Sequence, residues 1–208
     1  MNSILKVDFI EVGPFQTNCY LVRGNNKAII IDPGDEFFRI EKLINKYNAE
    51  VEKIILTHGH IDHIGAVSQV KNITNALVMI HPDDAGMLTD AKANLSAYHD
   101  TEFTIDAADE FINDGDIIEI GGIQLKTLHT PGHTPGGISL LTDGIVFTGD
   151  ALFWGSIGRT DLPGANHETL INAIKSKLLT LPDETIVYPG HGPQTTIGKE
   201  REINPWLI

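Results

Sequence analysis

The stretch Thr57-His58-Gly59-His60-Ile61-Asp62-His63-Ile64-Gly65-Ala66 packs three imidazoles and one carboxylate into six residues. It follows Val51-Glu52-Lys53-Ile54-Ile55-Leu56, a short run rich in β-branched residues that predicts a buried strand. Helical spacing resumes at Ile64 and runs to about Asn72. The cluster is therefore expected in a strand-to-helix loop, where an α/β sheet exposes reactive groups. His58 and His60 stand two apart, and alternate side chains of extended backbone point the same way, so both can reach one metal ion. Asp62 and His63 come a turn later and face a neighbouring position, with room for a second ion. This is not the helical zinc pattern, whose histidines lie four apart. Histidines also cap helices and decorate surfaces, but four potential ligands packed without a metal would crowd charge and unpaired nitrogens.

Upstream of this stretch, residues 4–12, 19–23 and 28–31 predict a strand meander turned at Gly13-Pro14 and at Gly24-Asn25-Asn26. Residues 36–47 predict an amphipathic helix. Asp32 directly follows the third apolar run, where a carboxylate is costly unless hydrogen-bonded. It serves either as a turn-former before Pro33 or as the acceptor that holds a ligand imidazole, and the second reading is preferred. Downstream, residues 76–80 predict a strand and His81-Pro82-Asp83-Asp84 the start of a short helix, with His81 as a structural hydrogen-bonder. Residues 85–102 are weakly patterned, with His99 exposed, and residues 103–110 read as a connector. Strands are then expected at 117–120, 123–129, 138–141 and 145–148, with hairpin turns at Asp114-Gly115-Asp116, Gly121-Gly122 and Asp143-Gly144. A helix over 168–179, a strand over 185–188 and a closing helix from Ile197 complete the chain. Two sheets facing each other with helices outside would bury these runs, an α/β four-layer αββα sandwich. One domain over 1–208 is expected, in two pseudo-equivalent halves of roughly 1–105 and 106–208.

Three later residues fall at the same kind of place, the end of an apolar run. His133 lies in Thr130-Pro131-Gly132-His133-Thr134, Asp150 ends Val146-Phe147-Thr148-Gly149-Asp150, and His191 ends Tyr188-Pro189-Gly190-His191. With His58, His60, Asp62 and His63 they make seven candidate ligands. The set suits two metals: His58, His60 and His133 on one, Asp62, His63 and His191 on the other. Asp150 bridges them, because a carboxylate has an oxygen for each. His129 reads as lying just behind the ligands and His167 as surface.

The order His-x-His-x-Asp-His followed by His, Asp and His resembles the metallo-β-lactamase superfamily. Within it, Thr57–Gly65, Gly155-Ser156-Ile157-Gly158-Arg159-Thr160-Asp161 and Gly190-His191-Gly192-Pro193-Gln194-Thr195 resemble the glyoxalase II-like, hydroxyacylglutathione hydrolase-like branch. Full-length glyoxalase II enzymes carry a C-terminal helical region that supplies basic residues to glutathione. Here only Gly192 to Ile208 follow the last ligand, so the chain is similar to the shorter, single-domain members. The resemblance implies the αββα sandwich, a metal cleft at one edge, and Asp62 as the group that orients or deprotonates the attacking hydroxide. It implies hydrolysis of a thioester of the S-2-hydroxyacylglutathione type. A thiolate leaves without needing a proton, since its free pKa is about 8.5, and no general acid is evident here. Two divalent ions are implied, zinc first, with iron or manganese accepted by the same mixed donor set. The loop after Asp150 is expected at the cleft mouth. Arg159 there either binds a substrate carboxylate or pairs with Asp161, and Phe153 and Trp154 either wall the pocket or pack. The alternative activity is a persulfide dioxygenase with one iron on His58, His133 and Asp150. A non-enzymatic domain would be expected to have lost ligands, and none is missing.

The chain has 208 residues, 15 basic against 28 acidic, and a formal net charge of −13. Such an acidic surface repels phosphate backbones and makes nucleic acid a poor partner. The expected partner is a small-molecule thioester, and the expected state a monomer or small homo-oligomer. The single cysteine, Cys19, excludes an intrachain disulfide and reads as a core residue on a strand. Residues 1–8 lack the apolar core of a signal peptide, and no apolar stretch approaches membrane-spanning length. A cytoplasmic protein without membrane contact is expected.

Overall fold

The computed structural model describes residues 5–99 and 101–208. Ile4, where the first strand was expected to start, lies outside the described residues, as do residues 1–3 of the segment read for a signal peptide. Strands β1 (Lys6–Val12), β2 (Thr17–Gly24) and β3 (Lys27–Ile31) form the expected antiparallel meander. Helix α1 (Phe37–Tyr47) buries Ile40, Leu43 and Ile44 and returns the chain to β4 (Glu50–Ile55), parallel to β3. A single turn, α2 (Ile61–Ile64), and α3 (Val67–Thr74) lead to β5 (Leu77–Ile80). A 3-10 segment, Pro82–Thr89, and irregular chain follow, and the two-residue β6 (Glu110–Phe111) closes a six-stranded sheet ordered β1 to β6.

The second sheet is built from β7 (Ile117–Ile120), β8 (Ile123–His129), β9 (Ile138–Thr142) and β10 (Ile145–Gly149). A two-stranded ribbon, β11 (Leu152–Phe153) with β12 (Ser156–Ile157), stands apart from it. Helix α4 (His167–Ala173) runs on through a π turn, Ile174–Leu178, to β13 (Ile186–Pro189), which lies parallel to β10. β14 (Thr195–Thr196) and α5 (Ile197–Ile203) finish the fold.

Alternation along the strands creates three apolar layers. In β2 and β3, Cys19, Leu21, Ala28 and Ile30 face α1 and α3, while Tyr20, Val22, Ile29 and Ile31 face the second sheet. That second sheet answers with Ile118, Ile120, Leu125, Leu140 and Phe147, and its far side packs Val146 and Val187 against Leu170, Ile174 and Ile197 of the outer helices. A sheet residue with both faces covered reads as a continuous apolar run, which is how these strands appeared in the sequence. The architecture is the αββα sandwich. Among the described residues no helix is long and apolar enough to cross a membrane.

Two expectations need correction. The helix expected over 64–72 is broken, because the Ala66 N–H is taken by Pro33 O at 2.9 Å. That bond separates α2 from α3 and draws the loop containing Asp62 against Pro33-Gly34. The turn at Asp114-Gly115-Asp116 makes no hairpin. It joins β6, which pairs parallel with β5, to β7, which pairs with β8 in the other sheet. It is the crossing between sheets, and a turn's residues carry no record of which strand pairs with which.

A candidate dinuclear metal centre

Strand register brings the site together. β3 and β4 are parallel with Ile31 opposite Ile55, so Asp32 and Thr57 leave the sheet side by side. β10 and β13 are parallel with Gly149 opposite Pro189, and the Gly190 N–H donates to Gly149 O at 2.8 Å, so Asp150 and His191 emerge together. The sheets are then tied to each other at this edge: Asn18 N–H donates to Gly190 O at 2.7 Å and Ile138 N–H to Thr57 O at 2.9 Å. Gly149 sits at φ +48°, and a Cβ there would lie 2.4 Å from Thr57 Oγ1, so only glycine lets the two strand ends approach.

All seven predicted ligands converge there. His58, His60 and His133 form one group whose donor atoms lie within 4.8 Å of one another, and Asp62, His63 and His191 form a second. Asp150 lies between them. Its Oδ1 is 3.4 Å from His63 Nε2, and its Oδ2 is 3.5 Å from His133 Nε2 and 3.6 Å from His191 Nε2.

The chain fixes which nitrogen of four of the five imidazoles faces the centre. His63 Nδ1 donates to Asp32 Oδ2 at 3.0 Å, His133 Nδ1 to Arg159 O at 2.8 Å and His191 Nδ1 to Phe15 O at 3.0 Å. Each outward bond leaves Nε2 as the nitrogen that faces the centre. Thr57 Oγ1 donates to Asp32 Oδ2 at 2.7 Å and stands 3.2 Å from His58 Nδ1, orienting that ring likewise. Asp32 is thus an acceptor for the Thr57 N–H, the Thr57 hydroxyl and His63 at once, buried and held at φ +51°. Asp32 therefore accepts from one imidazole of the candidate set. Thr17 Oγ1 donates to Asp62 Oδ2 at 3.0 Å and aims that carboxylate.

Protonation states follow the surroundings. Burial drives His58 well below its ordinary value and His60 down to about 3, with neighbouring imidazoles adding to the effect. Both rings are neutral at pH 7. For His63, burial works against the proton, but Asp62, Asp150 and Asp32 outweigh it and raise the pKa well above normal. Burial likewise opposes ionisation of Asp62 and Asp150, and the imidazoles around them, His63 foremost, hold both below the usual carboxylate range.

Nε2 of His58, His60 and His63 and Oδ1 of Asp150 are buried without a hydrogen-bond partner. His60 Nδ1 and His133 Nε2 face each other at 3.0 Å. Each orphaned buried polar atom costs about 1–3 kcal/mol, and a cation satisfies several at once. A nitrogen and carboxylate set of this kind fits divalent transition metals.

Residues 12–191 match the metallo-β-lactamase superfamily. The chain belongs to that superfamily. It is 42% identical over 201 residues to the probable metallo-hydrolase YqgX of Bacillus subtilis, covering 95% of each chain. It is 38% identical over 212 residues to the hydroxyacylglutathione hydrolase GloC of Haemophilus influenzae, covering 98% of each. Among solved structures, the BLEG-1 B3 metallo-β-lactamase superposes with a TM-score of 0.93 at 38% identity, over 97% of this chain and 99% of that one. TTHA1623 in a di-iron-bound form gives 0.83 at 37%, over 96% and 100%. ETHE1 from Myxococcus xanthus gives 0.80 at 31%, over 97% and 83%. The metallo-β-lactamase assignment matches the likeness read from the His-x-His-x-Asp-His motif.

The remaining residues singled out in the sequence are placed as follows. Arg159 points away and forms a two-bond pair with Asp161, at 3.0 and 3.1 Å, on the surface. Phe153 lies edge-on to the His191 ring at 6.1 Å, and Trp154 carries Lys199 over its face. None of the three lines the cleft beside Asp62. His129 stacks on His81 and reaches Pro135 O at 3.0 Å, behind the His133 loop. Cys19 is buried, and burial pushes its thiol pKa up, so it stays protonated.

Sequence reasoning missed Asp84. Read as one of two acids opening a helix, it is fully buried and accepts from Thr134 Oγ1 at 2.7 Å and Gly136 N–H at 2.6 Å. It also takes the Gly59 N–H, which stands between His58 and His60. One carboxylate thereby staples the two loops that carry the first ligand group. An acid beside Pro82 carries no sequence signal for this, because its partners lie far along the chain.

Proposed function

We propose that this protein is a dinuclear metallohydrolase that cleaves thioesters of the hydroxyacylglutathione hydrolase type, with His58, His60 and His133 holding one cation, Asp62, His63 and His191 the other, and Asp150 both. The observation that carries this reading is the inward convergence of seven donor side chains, of which His58, His63, His133 and His191 have their outward nitrogens committed to hydrogen bonds. Zinc is the expected metal, although the likeness to a di-iron-bound structure makes iron a real competitor. Two divalent ions supply acidified water and Lewis-acid polarisation of a carbonyl.

The chain's own residues do the rest. Asp62, ionised and aimed by Thr17 Oγ1, sits at the rim of the open cleft, where it orients the attacking water or accepts its proton. Asp32, Arg159 O and Phe15 O keep His63, His133 and His191 from turning, so the donors need no rearrangement as charge develops. The leaving thiolate requires no acid, and no side chain at the cleft is asked to provide one.

The test is steady-state hydrolysis of S-D-lactoylglutathione by protein loaded with two equivalents of zinc. Turnover is expected, and Asp62→Asn should lower kcat by about 10²-fold or more, as loss of a general base does. Loaded protein that cleaves no thioester refutes the proposal. A second reading, persulfide oxidation with one iron on His58, His133 and Asp150, is supported by the likeness to ETHE1. Oxygen consumption on glutathione persulfide by iron-loaded protein would favour it, and β-lactam hydrolysis would point to the chemistry in the name of BLEG-1.

A further inference from the structure

A cleft of about 640 Å³ opens directly beside Asp62. That is the volume of a small-molecule site. Its walls include Phe15, Asp35, Tyr98, His99 and Phe103. Phe15 has two parts: its carbonyl fixes His191, while its ring, 46% exposed, meets His99 edge-on at 5.3 Å. Tyr98 presents its ring to solvent at 69% exposure. Asp35 is the further carboxylate on the wall. It is exposed, and its Oδ1 accepts the Glu36 N–H at 2.5 Å, which fixes the group. Its other oxygen lies over Gly13, where an added Cβ would stand 2.7 Å from it.

No lysine or arginine is among the described residues that line this cleft. Arg39 of α1 is engaged elsewhere, donating to Glu36 Oε2 at 2.6 Å and to Glu11 O at 2.8 Å. The wall therefore offers aromatic faces and one fixed negative charge to whatever extends from the reacting carbonyl. Aromatic faces and a carboxylate together attract an ammonium group, and they favour a purely cationic arm over that of glutathione, whose single ammonium is outnumbered by two carboxylates.

We infer that the cleft receives the thiol half of the thioester and selects one with a cationic, ammonium-type head group, paired to Asp35 and flanked by Phe15 and Tyr98. This rests on the thioesterase reading and narrows it: the glutathione thioester is a tolerated substrate rather than the preferred one.

The experiment compares one acyl group on four thiols, using the zinc-loaded full chain: thiocholine (cationic), N-acetylcysteamine (neutral), 3-mercaptopropionate (anionic) and glutathione. kcat/KM is expected to be about tenfold higher for thiocholine than for 3-mercaptopropionate, with the difference in KM. Asp35→Asn should bring that ratio towards one, and Asp35→Lys should invert it. A glutathione thioester preferred over the thiocholine one, or a ratio untouched by Asp35→Asn, overturns the inference. Calorimetric binding of choline supplies a reading independent of turnover. Saturable binding that is lost in Asp35→Asn supports the cleft assignment even if no thioester is cleaved, and in that case it is the proposed reaction that fails. Absence of choline binding overturns the assignment.

Discussion

Asp32 shows how much a single side chain can govern. It is buried, yet it accepts from two groups of Thr57 and from His63, so it sets the orientation of both the first and the fourth candidate ligand. Groups of this kind outside the ligand set usually contribute 10–100-fold to metal affinity. Asp32→Ala is therefore expected to lose about that factor, measured by competition with a chromophoric chelator, and unchanged affinity would show that His63 is held by something else. Cys19 offers the opposite case. Buried and with its pKa pushed up, it should resist alkylation in the folded protein, and a thiol reagent should leave hydrolysis unaffected. The histidines themselves were legible from spacing, because six consecutive residues already hold four donors. The carbonyls of Phe15 and Arg159 were not, since every residue has one and only the fold selects which is used.

At the level of elements, the site depends on loops from different strands holding station against one another. Asp84 ties the His58–His60 loop to the loop of His133, and its burial raises its pKa while Thr134, Gly136 and Gly59 pull it back down. Asp84→Ala orphans these buried donors, at about 1–3 kcal/mol each, so a lowered Tm is expected. Metal should be lost first from the His58, His60 and His133 group, read as one retained equivalent where the parent holds two. Loss of both equivalents together would mean that the staple serves the whole fold rather than that group. Gly34 marks a second such contact. A Cβ there would stand 1.7 Å from Asp62 O, so Gly34→Ala must displace the loop bearing Asp62 and should reduce turnover far more than it reduces secondary structure by circular dichroism. The break between α2 and α3 belongs to the same contact. Periodicity showed a helix there and could not show Pro33 O arriving to interrupt it.

For the molecule as a whole, the centre sits where the two sheets meet, and four of its buried polar atoms have no hydrogen-bond partner among the described residues. Binding to the folded chain alone stabilises by about 4 kcal/mol when free metal exceeds the dissociation constant a thousandfold. Chelation should therefore lower Tm by several degrees, reversibly on adding zinc, and a Tm indifferent to chelator would argue against cations there. Layering and most strand positions were legible in the sequence, because a strand covered on both faces must be apolar throughout and a helix covered on one face must repeat near every third or fourth residue. The seven candidate donors that converge were legible too, since donors at strand ends have few structural uses. What no reading along the chain supplied was the pairing: that β3 lies parallel to β4 and β10 to β13, and that Asp84 reaches across to Thr134. Periodicity reports how each segment is buried. Which segments bury one another is decided by long-range contacts, and these leave no local pattern to read.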